Sequence, residues 1–278
     1  MQGNLKKAGI LILILAVIAV VRVCGNIYIK GDGAQTPEHE AEQSENIAQI
    51  PADTGNESES QQAVADKEPK DEQPEEKQID FDVLRAKNPD IFAWIHIPGT
   101  AIDYPVLQSG QSDTFYENHN ADGEEDDTGA VYIELANLAS MCDFNTVLHG
   151  KAGENGDGLF ADLYKFAEPD FFADHEYVDL YLDGNVLTYE IFAAYERENT
   201  SLIRTYDFTY LSGCKQFLDD LYGTRDMGMN LREGWEHVNE YNYMITLTTR
   251  KEDAGRQFVV TAVLIQDRAG TINRIITE

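Results

Sequence analysis

From Phe81 onward the sequence breaks into short aromatic and β-branched segments separated by turn residues, and this pattern limits the fold more than any other feature. Such segments predict β-strands, because these side chains favour extended backbone while Gly, Pro, Asn and Asp interrupt it. The predicted strands are residues 91–97, 102–107, 130–135, 145–149, 177–182, 186–195, 243–249 and 257–266. Many short strands with few helices indicate a mainly β fold, a small closed barrel with helical insertions.

Three segments predict the helices, namely residues 81–87, 159–166 and 210–222. The last of them has its apolar side chains at helical spacing, which is typical of a helix with one buried face. Those side chains are Leu211, Cys214, Phe217, Leu218 and Leu221. Between the fifth and sixth predicted strands, Asp183-Gly184-Asn185 predicts a tight hairpin turn.

The N-terminus carries an uninterrupted apolar run, residues 8–21, after Lys6 and Lys7. It is compatible with a cleaved signal peptide or with an uncleaved signal anchor. No small-x-small cleavage site follows the run, and no small residues precede Cys24 as a lipoprotein site requires, so we favour the anchor. Residues 1–30 are therefore predicted to be a single membrane-spanning anchor, with the lysines inside and the rest of the chain outside the cytoplasm.

Residues 31–80 form a different kind of segment, with fifteen acidic residues, three lysines, four of the eight prolines and no aromatic residue. Such a segment cannot bury enough apolar surface to offset the entropy cost of ordering. We predict a disordered acidic linker here, with an acidic binding tail as the alternative, and a folded domain over residues 81–278.

The chain is strongly acidic, with 50 acidic and 21 basic residues and a formal net charge of −29. This excess argues against nucleic acid as a partner, because nucleic-acid binding requires a basic face. Two of the three cysteines, Cys142 and Cys214, fall in the predicted domain. They could form a disulfide or remain two thiols, and their wide separation favours thiols.

Several segments, in order along the chain, resemble the class B sortase family. They are NPDIFAWIHIPGTAIDYPVLQS (88–109), FYENHN (115–120), TGAVYIE (128–134), NTVLHGK (145–151), GLFADLYKF (158–166), FFADHEYVDLY (171–181), TYEIFAAY (188–195), MITLTTR (244–250) and RQFVVTAVLI (256–265). The resemblance spans about residues 81–267. It implies a sortase-like closed β-barrel held outside the membrane, in a family of cysteine transpeptidases that cut a sorting peptide and pass it to an amine.

The resemblance also implies where the catalytic residues of the family would stand. In this chain Lys151 occupies the histidine position, Arg250 the cysteine position and Gln257 the arginine position, with Arg256 one residue early. Arginine has no nucleophilic atom and stays protonated, whereas cysteine catalysis requires a thiolate. We therefore predict that no catalytic set is intact and that sortase activity is absent.

Three alternatives remain for the altered site. His149 could serve as a displaced base or as a structural histidine, and Thr248 or Thr249 could supply a hydroxyl nucleophile with Lys151 as its base. Lys151, Arg250 and Arg256 could converge to bind a carboxylate, or each could pair with a local acid such as Glu252 or Asp253.

The remaining candidates carry weaker signals. His119 and His175 match ordinary family positions and are predicted to be structural. The acidic loop DGEEDD, residues 122–127, could bind calcium weakly but lacks the spacing of a calcium hand, so a solvated loop is favoured. No metal ion or cofactor is predicted.

Three functions follow as hypotheses. The first is a catalytically inactive sortase homologue on the cell surface that binds a sorting peptide, a surface protein or an active sortase. The second is a diverged transpeptidase that attaches surface proteins to the cell wall or pili with a different nucleophile. The third is an assembly scaffold that retains no ligand.

Overall fold

The structure is a computed structural model that describes residues 77–153, 156–224, 228–249 and 255–273. The predicted anchor and nearly all of the predicted linker lie outside the described residues, as do Arg250, Glu252 and Asp253. Among the described residues, none of the helices combines the length and hydrophobicity needed to cross a bilayer.

The described residues are built around nine strands. They are β1 (Ile91–His96), β2 (Asp103–Leu107), β3 (Val131–Ile133), β4 (Asn145–His149), β5 (Tyr177–Leu182), β6 (Asn185–Glu198), β7 (Asn230–Leu231), β8 (Met244–Thr249) and β9 (Arg256–Asp267). Eight of them pair in the order β5-β1-β2-β3-β4-β8-β9-β6, and β6 pairs back onto β5, so the sheet closes into a barrel. The predicted closed barrel is therefore confirmed, and all eight predicted strands lie in its wall.

The described residues also form four α-helices, which are α1 (Phe81–Lys87), α2 (Pro169–Asp174), α3 (Leu202–Thr205) and α4 (Leu211–Gly223). The helix predicted at residues 159–166 is instead a 3-10 segment, Ala161–Ala167. Over so few residues, a 3-10 helix and an α-helix show nearly the same spacing of apolar side chains, so the sequence did not distinguish them. Further 3-10 turns lie at Phe115–Glu117 and Trp235–His237. The short elements α2, α3 and β7 were not predicted.

Two apolar cores lie on opposite sides of the barrel wall. On β4, Leu148 belongs to the core inside the barrel, whereas Val147 belongs to the core beneath α4. Successive strand residues point to opposite faces, so this wall must be apolar on both faces where a helix covers it. Cys214 and Phe217 of α4 are buried and belong to the core beneath this helix, which confirms the predicted amphipathic helix.

The hairpin between β5 and β6 is tighter than predicted, because Asn185 already pairs with Leu182 as the first residue of β6. The loop is therefore Asp183-Gly184, and Gly184 has φ +77°. Two-residue hairpin loops require such left-handed backbone, which glycine adopts without a steric penalty.

The folded part begins before Phe81. The Asp80 side chain accepts a hydrogen bond of 3.0 Å from the Val83 N–H and so caps α1. The Lys77 ammonium contacts the Asp103 carboxylate and lies 5.2 Å from the centre of the Trp94 ring. Residues 77–80, at the end of the predicted linker, therefore contact the barrel through specific side chains.

Candidate functional site

A pocket of about 280 Å³ opens where β4 and β8 end, beside the chain that leaves β6. Its lining comprises Asp113, Thr114, Tyr116, Glu117, Ala130, Tyr132, Glu134, Val147, His149, Gly150, Lys151, Asn199, Thr200, Ser201, Leu202, Arg204, Thr248, Thr249 and Gln257. The described lining residues include no cysteine. Three acidic side chains and two basic side chains, those of Lys151 and Arg204, make this a polar pocket.

His149 contacts three other side chains in the pocket. Its Nδ1 lies 3.0 Å from the Thr248 Oγ1, because β4 and β8 run parallel with His149 directly beside Thr248. Its Nε2 lies 3.2 Å from Glu134 Oε1, within ion-pair distance but outside good hydrogen-bond geometry. The ring stacks on Tyr132, its cross-strand neighbour, with ring centres 5.0 Å apart. Three strands thus fix one imidazole.

Glu134 follows β3 directly, and only 12% of its side chain is exposed. The neighbouring His149 imidazole is the main cause that lowers the pKa of Glu134, against the opposing effect of burial. A lowered pKa keeps this carboxylate ionised at neutral pH. In the pocket, the Glu134 carboxylate therefore contacts the His149 imidazole, which contacts the Thr248 hydroxyl. The sequence alone gave no signal that pointed to Glu134.

Glu134→Gln should lower the free energy of unfolding by about 1 kcal/mol at neutral pH, because it replaces an ionised partner of His149 by a neutral amide. The folded-state pKa of Glu134 lies below its unfolded value. The contribution of Glu134 to the free energy of unfolding is therefore complete above its pKa in the unfolded chain. It is lost as the pH falls through its pKa in the folded protein. Urea unfolding of both proteins across the acid range should show the difference shrinking in acid; a difference independent of pH would contradict this account.

Lys151 lies at the rim of the same pocket, two residues after His149. Its ammonium donates a hydrogen bond of 2.8 Å to the Asp127 carbonyl oxygen. The Lys151 carbonyl oxygen in turn accepts from the Phe160 N–H at 3.0 Å. The residue at the predicted histidine position is therefore tied to the wall of the pocket through both its side chain and its backbone.

Of the two alternatives that the sequence leaves for the cations, Arg256 follows the second, because it pairs with an acid. Its guanidinium lies 3.2 Å from Glu196 Oε2 and also donates to the Glu196 carbonyl oxygen, and it does not line the pocket. The neighbouring Gln257 points the other way and lines the pocket, as expected for adjacent strand residues. Its amide nitrogen bonds the carbonyl oxygens of Glu198 and Thr200, which anchors the chain after β6.

Thr249, the last residue of β8, is 2% exposed and lines the pocket. Its hydroxyl has no hydrogen-bond partner among the described residues. It lies on the strand face opposite Thr248, since successive side chains alternate. The predicted lysine base for either threonine is not seen, because the Lys151 ammonium bonds Asp127 and His149 contacts Thr248.

The other sequence candidates lie elsewhere. His119 bonds the Phe115 carbonyl oxygen and stacks on that ring, and His175 does the same with Phe171. Neither lines the pocket. In the described parts of the chain, including the acidic loop, no group of three or more His, Cys, Asp or Glu side chains is arranged to hold a metal ion.

Cys142 and Cys214 are thiols and do not form a disulfide in the structure. Cys214 is a buried residue of α4, and Cys142 is partly exposed before β4. Neither cysteine lines the pocket. The thiols of the described domain are therefore outside the site where the family resemblance would require one.

Comparisons with known proteins agree with this architecture. No protein-family model matches the sequence. The chain is 34% identical to sortase B of Listeria monocytogenes over 128 residues, covering 46% of this chain and 48% of that protein. It is 30% identical to sortase B of Staphylococcus aureus over 142 residues, covering 50% of this chain and 57% of that protein. The matches thus span about half the length of these curated relatives.

Solved structures match over a larger share. The crystal structure of Clostridium perfringens sortase B superposes with a TM-score of 0.60 at 28% identity, covering 67% of this chain and 100% of that chain. A Staphylococcus aureus sortase B–substrate complex gives a TM-score of 0.58 at 25% identity, covering 67% of this chain and 84% of that chain.

The closed eight-stranded barrel, with a polar pocket where β4 and β8 end, therefore defines a sortase-like protein. Within that class, both the sequence matches and the structural matches are to class B enzymes. The chain is a class B sortase-like protein.

Proposed function

We propose that this chain is a membrane-anchored, extracytoplasmic class B sortase-like protein that binds a peptide but lacks cysteine-based transpeptidation. One observation carries the proposal: the described pocket has no thiol, and Arg250 follows Thr249 where the resemblance requires the nucleophilic cysteine. A Staphylococcus aureus sortase B has been solved with a substrate, and a sortase B has been solved with Gly3, a short peptide; together they support a peptide as the class of ligand. The bound segment would belong to a surface protein or sorting signal.

The anchor and the linker are part of the same proposal. The apolar run of residues 8–21 would hold the protein in the membrane, with Lys6 and Lys7 inside. Residues 31–76 would let the barrel reach ligands at a distance from the bilayer, because a charged linker repels itself and extends. The cell surface is the expected location.

The test uses the full chain in detergent, with peptides that carry a fluorophore and a quencher around varied sorting motifs. We expect saturable binding by fluorescence anisotropy but no cleavage, with or without an amine acceptor. The double variant Lys151→His, Arg250→Cys should gain cleavage that thiol alkylation blocks, because it restores a thiolate and an imidazole. Cleavage by the natural chain that alkylation abolishes would overturn the proposal.

A second pair of variants tests where the peptide binds. Asn199 lines the pocket and is exposed, so Asn199→Trp should obstruct the pocket and weaken peptide binding at least about tenfold. Gln216→Trp, on an exposed face of α4 outside the lining, is the matched control. Equal loss of affinity in both variants, or in neither, would place the ligand elsewhere.

A further inference from the structure

The contact between Thr248, His149 and Glu134 has the order of a nucleophile, a base and an orienting carboxylate. The two contacts, 3.0 Å from Oγ1 to Nδ1 and 3.2 Å from Nε2 to Oε1, lie on opposite edges of one imidazole ring. Such constellations are recognised by geometry and roles, on any fold. A purely structural histidine needs neither a carboxylate nor a place in the lining of a pocket.

The surroundings of the imidazole favour the tautomer that a base requires. The Glu134 carboxylate, kept ionised at neutral pH, favours a proton on Nε2. Nδ1 then carries the lone pair that accepts the Thr248 hydroxyl proton. Stacking on Tyr132 restrains rotation of the ring, and the Gly150 N–H bonds the Thr248 carbonyl oxygen at 3.1 Å, which fixes the backbone of the nucleophile.

We propose that Thr248 is the nucleophile of a cysteine-independent site that hydrolyses esters of small carboxylic acids, with His149 as general base and Glu134 as positioning residue. Thr248 is 4% exposed and the pocket is about 280 Å³, so only a small acyl group can reach the hydroxyl. The inference shares the pocket of the proposed function but does not require that the pocket bind a peptide.

The chemistry balances with water as the co-reactant. Thr248 Oγ1 attacks the ester carbonyl carbon while its proton passes to His149 Nδ1. The bond from that carbon to the alkoxy oxygen breaks, and the leaving alcohol takes the proton from Nδ1. Water then attacks the acyl-threonine, its proton passing through Nδ1 back to Oγ1 as the bond from Oγ1 to carbon breaks. The products are one carboxylic acid and one alcohol.

The negative charge that develops on the carbonyl oxygen needs a stabilising partner. Lys151 lines the same pocket, and one N–H of its ammonium is committed to the Asp127 carbonyl oxygen. An ammonium has three donors, so Lys151 can stabilise this charge without losing that bond. Stabilisation by one ammonium, that of Lys151, suits reactive esters better than stable amides, which agrees with the expected absence of peptide cleavage.

The experiment incubates the full chain in detergent with p-nitrophenyl acetate. We expect catalytic release of p-nitrophenol and an acetyl group on Thr248. Trypsin cuts after Arg232 and Arg250, so the residue lies in a single peptide, residues 233–250, whose fragmentation locates the adduct. Thr248→Val should lower the rate about 100-fold, and Thr248→Ser should retain most of it. Thr261→Val, a buried strand threonine outside the pocket, is the matched control and should leave the rate unchanged.

The pH dependence separates a base from a structural histidine. With His149 as general base the rate should rise with pH, and His149→Gln should lose both about 100-fold in rate and this dependence. Glu134→Gln should lower kcat more than it raises KM, because it disturbs the base rather than substrate contacts. Lys151→Met should cost about tenfold or more.

No turnover, turnover unchanged in Thr248→Val, or acetyl groups on lysines alone would overturn the inference. Should Thr248→Val fail to fold, the acetyl-Thr248 adduct in the natural chain decides by itself. Peptide anisotropy on the same preparation keeps the two proposals apart. Peptide binding without ester turnover overturns only this inference, and ester turnover without peptide binding overturns only the proposed function.

Discussion

Phe160→Ala should lower the free energy of unfolding by about 3–5 kcal/mol, among the largest effects of any single substitution in the domain. Phe160 is completely buried and belongs to the core inside the barrel. Its ring is so close to Gly150 that a Cβ there would lie 2.6 Å from it. Removing the ring leaves a cavity beneath the segment that joins His149 to Lys151, so the pocket should loosen as well.

Urea unfolding followed by tryptophan fluorescence measures this effect, since both tryptophans, Trp94 and Trp235, lie in the described domain. Phe160→Leu keeps most of the volume and should cost less than half as much. Tyr241→Ala, at a residue that is 56% exposed, should change stability by no more than about 0.5 kcal/mol. A loss below about 1 kcal/mol for Phe160→Ala would contradict the packing described.

Gly129→Ala should cost about 3 kcal/mol or more, because two penalties add. Gly129 has φ +71°, a backbone conformation that costs a residue with a Cβ about 1–2 kcal/mol. The new Cβ would also lie 2.6 Å from the Tyr116 carbonyl oxygen and 2.7 Å from that of Glu117. These are backbone atoms, so the clash can be removed only if the backbone at Tyr116 and Glu117 shifts. Both residues line the pocket, so the pocket wall would shift with them.

The matched control is Gly110→Ala, because Gly110 has ordinary φ and a Cβ added there would meet no atom of the described residues within 4 Å beyond its chain neighbours. There, alanine should be neutral or slightly stabilising, since it lowers the entropy of the unfolded chain. Thermal unfolding of both variants beside the natural protein gives the comparison. If Gly129→Ala melted at the same temperature as the natural protein, the backbone around Gly129 would accommodate a Cβ without loss of stability, which would contradict this prediction.

Most of the barrel was predictable because strands obey local rules. Along β1, Ile91, Ala93 and Ile95 are buried and their neighbours are partly exposed, which is the alternation that the sequence displays. The hairpin position was readable from Asp183-Gly184 for the same reason. The end of β6 was not: Glu196 to Glu198 look polar and solvent-exposed, yet they pair with β9 out to Arg256. Long-range pairing there outweighs local propensity.

For the site, too, some features follow from the sequence and others only from the tertiary structure. The sequence by itself predicted that Lys151, Arg250 and Gln257 stand at the positions where the family resemblance requires catalytic residues. Only the tertiary structure decided that Arg256 pairs with Glu196, and that Glu134 and Thr248 meet at the two edges of His149. Glu134 and Thr248 are more than a hundred residues apart, so no local pattern relates them. The register of β3, β4 and β8, which the whole barrel must satisfy at once, brings them to one imidazole.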